Sequence, residues 1–367
     1  MSDHRTIRSL GVEAPERAYF FHYEEGPPAD GHVRLDALYT GFSAGTELTF
    51  VKNTNPYLKS RWDGGRGVFI QGEPEARYPL PFLGYMEVAR VSDSRAPGFS
   101  NGDIVATTFG HKSGHTADPF HDPLFALPKE IDPKLGVFVA QMGPIAANGI
   151  LHADAEMLGN NVTELGQGVA GRPVLVFGGG TVGLMTALFA KQVGASEVVV
   201  AEPSEFRRKI AEKLGLTAMT EEDAWQYAKA RWHNGGGSDR GADFVFQTRA
   251  RSESLHLAMR ALRPQGTVID LAFYQDGANG LRLGEEFHHN GLNLRCAQIN
   301  RVPRGLNHLW DRRRLANETI KLLQAEGKAI AEHMITHVVP IDDAPSFLGD
   351  LVANRPDFLQ IVFEFPQ

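Results

Sequence analysis

From about residue 172 onward, short apolar runs alternate with segments whose apolar residues recur at helical spacing. The apolar runs predict strands at 174–177, 197–201, 243–246, 267–271 and 292–297. Helical patterns lie between them, for example at 205–214 and 253–262. Strands that alternate with helices in this way are typical of a parallel, doubly wound sheet. The central part of the chain is therefore predicted to be an α/β domain of the Rossmann type.

Before about residue 150 the pattern is different, because short apolar runs are separated by glycine and proline. The runs lie at 33–38, 87–91 and 102–105. Such dense turn signals predict a compact β-rich domain.

The last part of the chain breaks the alternation at 302–304, and a helix is predicted from about 312 to 326. Two final strands are predicted at 334–339 and 359–365. A chain of 367 residues has room for two domains of about 100 to 200 residues each. The predicted segments are 1–150, 151–300 and 301–367.

Composition narrows the class of protein. The net charge is −7, from 37 basic and 44 acidic side chains without long single-sign blocks, so neither nucleic acid nor an anionic membrane is an expected partner. The single cysteine, Cys296, excludes a disulfide framework and a multi-cysteine zinc lobe. Without an apolar run of about 20 residues or a signal-peptide pattern, the expected location is the cytoplasm.

A Gly-x-Gly-x-x-Gly turn follows the strand predicted at 174–177. Gly178 permits the tight turn, Gly180 lets the backbone approach a pyrophosphate, and Gly183 lets the helix pack closely on the strand. Thr181 and Val182 begin that helix, whose N-terminal amides favour an anion. The turn therefore predicts a dinucleotide site.

Glu202 ends the next predicted strand, nineteen residues after Gly183. There it is placed to accept hydrogen bonds from both hydroxyls of an adenosine ribose, and its carboxylate would repel a 2′-phosphate. Glu202 therefore favours NAD as the cofactor. Arg207 and Arg208 follow closely and can serve a phosphate, so NADP remains possible.

The whole chain resembles the medium-chain dehydrogenase/reductase superfamily. Besides the glycine turn, the resemblance rests on the order of the segments 44–47, 83–86, 102–105, 262–266 and 335–340. It implies a GroES-like catalytic domain, a Rossmann domain, a C-terminal return to the catalytic domain, and a homo-oligomer, either dimer or tetramer. It also implies that two strand ends, Gln247-Thr248 and Ala272-Phe273, hold the nicotinamide ribose and carboxamide.

The chain departs from the zinc-dependent members of that superfamily at the metal ligands. Those members have Cys where this chain has Ala44, His where it has Tyr85, and a third ligand near Gly143. A catalytic zinc needs three protein ligands from His, Cys, Asp or Glu. The chain is therefore predicted to bind no zinc, and it is similar at 43–47 and 84–85 to the branch that contains bacteriochlorophyllide dehydrogenase.

Without a metal, a protein group must supply the proton or stabilise the oxyanion. By the resemblance, Thr46 matches a hydroxyl that relays the alcohol proton, Tyr85 replaces a metal-binding histidine, and Glu47 matches an acid that braces that histidine. Glu47 is expected to brace Tyr85 or Thr46 instead. Because tyrosine has a pKa near 10, raised further by a carboxylate, Tyr85 is a better acid than base. The open alternative is that Tyr85 only fills volume.

Further candidates come from segments that border the substrate pocket in relatives. Phe109 and His111 follow the strand predicted at 102–105, and His111 and His115 are possible proton carriers or solvated loop residues. Residues 52–80 read as a long loop without clear structure, a lid or an interface. In that loop Arg61 can clamp an anion and Tyr57 can pack against a ring, or both can contact another subunit.

Taken together, these features predict a zinc-independent oxidoreductase that transfers a hydride between NAD(H) and a secondary alcohol or ketone of small size. One alternative is an NADPH-dependent reductase of enones or quinones, because conjugation lowers the need for a Lewis acid. A second alternative, from another class, is a nucleotide-binding protein that has lost catalysis.

Overall fold

The computed structural model describes residues 4–233, 235–275, 277–354 and 356–366. The chain divides into two compact units. One, called here the β-rich unit, contains residues 1–140 and 335–367, and the other, the parallel-sheet unit, contains residues 141–334. A Rossmann-type parallel sheet combined with a β-rich unit confirms the predicted α/β fold class.

The β-rich unit is built on a seven-stranded sheet and two hairpins. Its strands are Arg5–Ala14, Arg17–Glu25, Val33–Phe42, Ser60–Asp63, Val68–Gln71, Glu87–Ser94, Ile104–Thr107, Gly114–Ala117, Leu124–Ala126, Ile335–Pro340 and Gln360–Glu364. Its α-helices are Glu47–Val51 and Ala344–Asn354, and short 3-10 helices lie at Pro56–Leu58, Pro133–Phe138 and Ile341–Asp343. The predicted strands at 33–38, 87–91 and 102–105 are all present, with the last shifted to begin at Ile104.

The C-terminal strands complete this sheet. Gln360–Glu364 pairs antiparallel with Val33–Phe42 and parallel with Ile335–Pro340. Phe42 and Phe363 are buried together in a hydrophobic cluster beneath the C-terminal helix. Because full burial of such a side chain contributes about 1.5 to 3 kcal/mol, the C-terminal segment is held firmly in the unit.

The parallel-sheet unit has the strand order 3-2-1-4-5-6 that defines the Rossmann fold. In that spatial order the strands are Thr217–Met219, Glu197–Ala201, Pro173–Phe177, Ala242–Gln247, Leu262–Asp270 and Asn293–Cys296. The α-helices are Met142–Leu158, Thr181–Gln192, Glu205–Lys213, Glu221–Arg231, Ser252–Arg260 and Arg312–His333; a π-turn lies at Leu283–Phe287 and a 3-10 helix at Arg304–Leu306. The central strands are apolar throughout because helices cover both faces of a parallel sheet.

The predicted boundaries at 150 and 300 differ from those of the structure. Met142–Leu158 is one continuous helix of the parallel-sheet unit, and Arg312–His333 packs against it in the same unit. Gly143 contacts Thr319 at this packing, since a β-carbon on Gly143 would lie 2.1 Å from Thr319 Cγ2. Residues 141–150 and 301–334 therefore belong with the parallel sheet. Among the described residues, no helix is long and apolar enough to cross a membrane.

Candidate active site

The glycine turn joins strand Pro173–Phe177 to helix Thr181–Gln192. Gly178 has a φ of +104°, a left-handed conformation that other residues rarely adopt. A β-carbon on Gly183 would lie 1.8 Å from the Gly178 carbonyl oxygen, so that position also requires glycine. Gly180 is the N-cap and has no side chain to accept hydrogen bonds from the first-turn amides. An anion at this end can accept them instead.

The space beside the Gly180 backbone is open, as the approach of a pyrophosphate requires. A β-carbon there would meet Arg207 Nη1 at 3.9 Å, an ordinary van der Waals distance. Arg207 therefore lies beside the turn, and its binding of a phosphate stays a prediction. Arg208 does not, because its Nη1 donates to the Glu202 and Pro203 carbonyl oxygens at 2.8 and 2.7 Å.

Glu202 lies against the glycine turn at the end of strand Glu197–Ala201. Its carboxylate is buried and accepts hydrogen bonds from Gly179 N at 2.7 Å and Ser204 N at 2.8 Å. The sequence predicted ribose hydroxyls as its partners, whereas the structure shows one backbone amide on each oxygen. Because each carboxylate oxygen has two lone pairs, both oxygens retain acceptor capacity for a ribose.

Polar side chains at the neighbouring strand ends bond mainly within the protein. Gln247 Nε2 donates to the Arg249 carbonyl oxygen at 2.8 Å, and Thr248 Oγ1 donates to the Phe177 carbonyl oxygen at 2.8 Å. These bonds account for both polar side chains, and the predicted contact of the strand-end backbone with a nicotinamide stays a prediction. Ala272 and Phe273 follow the next strand, and Phe273 is 40% exposed, so it is available to a ligand.

Asp270 organises that second strand end. Its carboxylate accepts hydrogen bonds from Ala272 N at 2.9 Å and from the Tyr274 hydroxyl at 3.0 Å. Burial raises the pKa of Asp270 to about 6. Burial, and then the Asp270 carboxylate, raise the pKa of Tyr274. Sequence reasoning missed Asp270, although its place at the end of a predicted strand was a usable signal.

In the β-rich unit, Tyr85 lies against the turn that precedes helix Glu47–Val51. Its hydroxyl donates to Ser43 Oγ at 2.5 Å and also has a side-chain hydrogen bond with Thr46. Burial, and then the Glu47 carboxylate, raise the pKa of Tyr85 to about 12, against the two hydroxyl contacts that lower it. Tyr85 is therefore protonated at neutral pH, and its one O–H is donated to Ser43 in this structure.

Glu47 is buried and bonds elsewhere than expected. One of its oxygens accepts from Ser43 N at 2.8 Å, and the other lies 2.7 Å from His111 Nε2. His111 is fully buried, and its Nδ1 lies 2.7 Å from Thr40 Oγ1. The sequence predicted Tyr85 or Thr46 as the partner of Glu47, whereas the hydrogen bonds of its carboxylate are with Ser43 N and His111, and its charge acts on Tyr85. Glu47 instead holds the backbone of Ser43 in place, and the Ser43 hydroxyl contacts Tyr85.

His111 is thus neither a solvated loop residue nor an exposed proton carrier, because both ring nitrogens have partners in the interior. His115 is half-buried, and burial, followed by the nearby Lys112 charge, lowers its pKa to about 4. It is therefore neutral near pH 7 and a poor proton carrier. Phe109 packs its ring 3.6 Å from the His115 ring and against the core of the sheet.

Residues 52–80 are not the structureless loop that the sequence suggested. Strands Ser60–Asp63 and Val68–Gln71 form a hairpin, with an aromatic cluster in which Tyr57 and Trp62 contact Phe69. Arg61 Nε pairs with Glu73 Oε2 at 2.6 Å. Its guanidinium is therefore already engaged, and the predicted anion clamp would have to displace Glu73.

The positions that match metal ligands in relatives lack suitable donors. Ala44 has no ligand atom, and the contact of Gly143 with Thr319 leaves no room for a side chain. Within the described parts of the chain, the one group of three possible ligands is His256, Glu285 and Glu286, which belongs to the parallel-sheet unit. The residues at 44, 85 and 143 therefore do not fit a catalytic zinc.

Two residues of this hydrogen-bond network were missed in the sequence. Ser43 directly precedes the segment at 44–47, so its hydroxyl was a usable signal. Thr40 lies inside strand Val33–Phe42 and gave no usable signal, because its partner His111 is distant in the chain.

The chain is similar to several known dehydrogenases. A family model described as "Zinc-binding dehydrogenase" matches residues 181–301. D-guloside 3-dehydrogenase of Escherichia coli is 24% identical over 359 residues, which cover 96% of this chain and 97% of the relative. L-threonine 3-dehydrogenase of Thermococcus kodakarensis is 30% identical over 190 residues, 50% of this chain and 48% of the relative.

Among solved structures, 2R,3R-butanediol dehydrogenase from Bacillus subtilis superimposes with a TM-score of 0.71 at 16% sequence identity. The match covers 98% of this chain and all of that structure, which confirms the fold. Together the named relatives support an oxidoreductase of the alcohol or polyol dehydrogenase type.

Proposed function

We propose that the protein transfers a hydride between NAD(H) and a secondary alcohol or its ketone without a catalytic zinc ion. The observation that carries this proposal is the hydroxyl network of Tyr85, Ser43 and Thr46, at the position where zinc-dependent relatives hold their metal. The absence of metal-ligating side chains at Ala44 and Gly143 also supports this proposal. The names of the relatives, a guloside, a threonine and a butanediol dehydrogenase, support a small hydroxylated substrate.

The parallel-sheet unit fits a nicotinamide dinucleotide. The first turn of helix Thr181–Gln192 offers its amides to the pyrophosphate, Gly180 leaves room beside the backbone, and Glu202 has lone pairs for the ribose. When bound, the nicotinamide ring accepts or supplies the hydride.

The hydroxyl groups of Tyr85 and Thr46, with Ser43 as the partner of Tyr85, bind the substrate oxygen and transfer its proton. Oxidation removes a hydride from the carbinol carbon and a proton from the hydroxyl, and reduction adds both. In reduction, the Tyr85 hydroxyl rotates its one O–H from Ser43 Oγ to the carbonyl oxygen, accepts a hydrogen bond from Ser43 in exchange, and stabilises the charge that develops on the substrate. Thr46, which is partly exposed, passes the proton between the substrate oxygen and water. Glu47 and His111 hold the Ser43 turn, so they are positioning residues.

We expect NADH to bind at least tenfold more tightly than NADPH, a difference of about 1.4 kcal/mol. The reason is that the Glu202 carboxylate accepts ribose hydroxyls and repels a 2′-phosphate. Fluorescence titration of both reduced nucleotides measures this ratio. The Glu202→Gln variant should bring the two affinities closer together, whereas Lys209→Ala, a control on the adjacent exposed helix, should not. Selectivity for NADPH would reverse the assignment and favour the enone or quinone reductase, with Arg207 holding the phosphate.

We expect the purified protein to retain no stoichiometric zinc at the substrate site. Metal analysis after dialysis is best run on the wild type and on His256→Ala in parallel. The variant removes one member of the group formed with Glu285 and Glu286, where zinc can bind without serving catalysis. If the wild type and the variant each bound one zinc per chain and lost activity on chelation, the metal-free mechanism would be wrong.

A further inference from the structure

A cavity of about 420 Å³ lies in the parallel-sheet unit, beside the C-terminal end of helix Met142–Leu158. Three arginines line it, Arg295 on the last strand and Arg301 and Arg304 on the segment that follows, together with His152 of the helix. None of these residues belongs to the glycine turn or to the strand ends described above. The cavity is therefore a separate candidate site.

The wall that carries the arginines is held in place by the helix. His152 Nε2 donates to the Arg301 carbonyl oxygen at 2.9 Å, and Asn148 Nδ2 donates to the Gln298 carbonyl oxygen at 3.0 Å. Gly305 allows the same segment to approach Asn160, because a β-carbon on Gly305 would lie 1.7 Å from Asn160 Oδ1. The backbone between 298 and 305 is therefore preorganised before any ligand binds.

The charge of the cavity is not balanced by its own acids. Arg295 pairs with Glu156 Oε2 at 2.9 Å. Within the described ranges of the chain, the side chains of Arg301 and Arg304 form neither a hydrogen bond nor an ion pair. His152 is 6% exposed, and its Nδ1 has no hydrogen-bond partner among the described residues. The cavity thus combines two uncompensated guanidinium groups with a buried imidazole.

We propose that this cavity binds the phosphoryl group of a small phosphate monoester. A guanidinium donates two parallel N–H bonds to a phosphate, and two such groups match its two negative charges. The volume exceeds that of a bare phosphate and lies within the range of small-molecule sites, so an organic group accompanies the phosphate. The excess charge disfavours a neutral ligand and a monoanion.

The test uses phenyl phosphate, which carries no alcohol that the enzyme can oxidise, and isothermal titration calorimetry of the full chain. Saturating NADH fills the glycine turn, so that phosphate binding there does not contribute. We expect one site per chain, binding that weakens with added salt, and at least tenfold weaker binding of the monoanion phenyl sulfate.

The Arg301→Ala/Arg304→Ala double variant should bind phenyl phosphate at least tenfold more weakly. Arg282→Ala, an exposed arginine of the same unit outside the cavity, is the matched control and should bind as the wild type does. Thermal unfolding of each variant verifies that it is folded. Absence of saturable binding to the wild type, or equal affinity in the double variant, would overturn the proposal. Neither result bears on the NAD(H) assignment, which the nucleotide titrations test.

Discussion

Replacing Tyr85 by Phe lowers kcat by about 10²- to 10³-fold and changes KM little, because the lost hydroxyl acts on charge that develops in the transition state. Phe keeps the ring that fills this part of the β-rich unit, so the variant should fold. The pKa of Tyr85, raised to about 12, keeps the wild-type hydroxyl protonated across the neutral range. The measurement is steady-state ketone reduction between pH 6 and 9.

Two further variants separate this role from a structural one. Ser43→Ala removes the partner of the Tyr85 hydroxyl and should lower kcat about tenfold, with KM again little changed. Tyr39→Phe removes a tyrosine hydroxyl on strand Val33–Phe42 and should leave turnover as it is. If Tyr85→Phe turns over at the wild-type rate, the hydroxyl has no chemical role. A wild type that binds NADH yet oxidises none of a broad panel of secondary alcohols would instead favour the protein that has lost catalysis.

The largest expected effect on stability comes from Glu87. This residue is fully buried in the β-rich sheet, and neither carboxylate oxygen has a hydrogen-bond partner among the described residues. Its strand neighbour Thr107 also has an unpartnered hydroxyl. Burial raises the pKa of Glu87 from 4.5 to about 8, although the charges of Lys112 and Arg5 lower it somewhat.

A carboxyl group whose pKa is raised on folding favours the folded state in its protonated form. Its contribution to stability is complete below the pKa that it has in the unfolded chain. The contribution is lost as the pH rises to the pKa that the group has in the folded protein. For Glu87 the window runs from about pH 4.5 to about pH 8. At about 1.4 kcal/mol per unit, the free energy of unfolding should fall by roughly 3 to 5 kcal/mol across it. Glu87→Gln removes this contribution and should flatten the dependence.

Urea unfolding at pH 5, 6, 7, 8 and 9 measures the difference between the two proteins at each pH. Glu13→Gln, a change at an exposed acid paired with Arg17, serves as the control and should follow the wild-type curve. Parallel curves for the wild type and Glu87→Gln would show that Glu87 does not titrate in this window.

The parallel sheet was predictable because its signal is local. Strands 174–177 and 197–201 are continuous apolar runs, and the glycine turn between them marks the start of a helix within a few residues. The three-residue strand Thr217–Met219 was missed since it is too short to show a pattern. Helix Met142–Leu158 was missed because it is buried on nearly all sides and so lacks the polar face that marks a surface helix.

The hydroxyl site was only partly predictable, for a different reason. Tyr85, Thr46 and Glu47 were predicted because the short segments that contain them resemble those of a known superfamily. The partner of Glu47 was not, because His111 is 64 residues away and only the paired strands bring the two together. Short sequence segments can identify such residues, but the tertiary fold determines that the Glu47 carboxylate contacts the His111 imidazole.

The contact between Gly143 and Thr319 also limits which substitutions could create a metal site in this protein. Ala44→Cys and Tyr85→His would each restore one metal ligand by a single replacement. A third ligand at Gly143 would place its β-carbon 2.1 Å from Thr319 Cγ2, so it requires a smaller residue at 319 first. Thr319 therefore excludes a third ligand at position 143 until the second helix, Arg312–His333, has also changed.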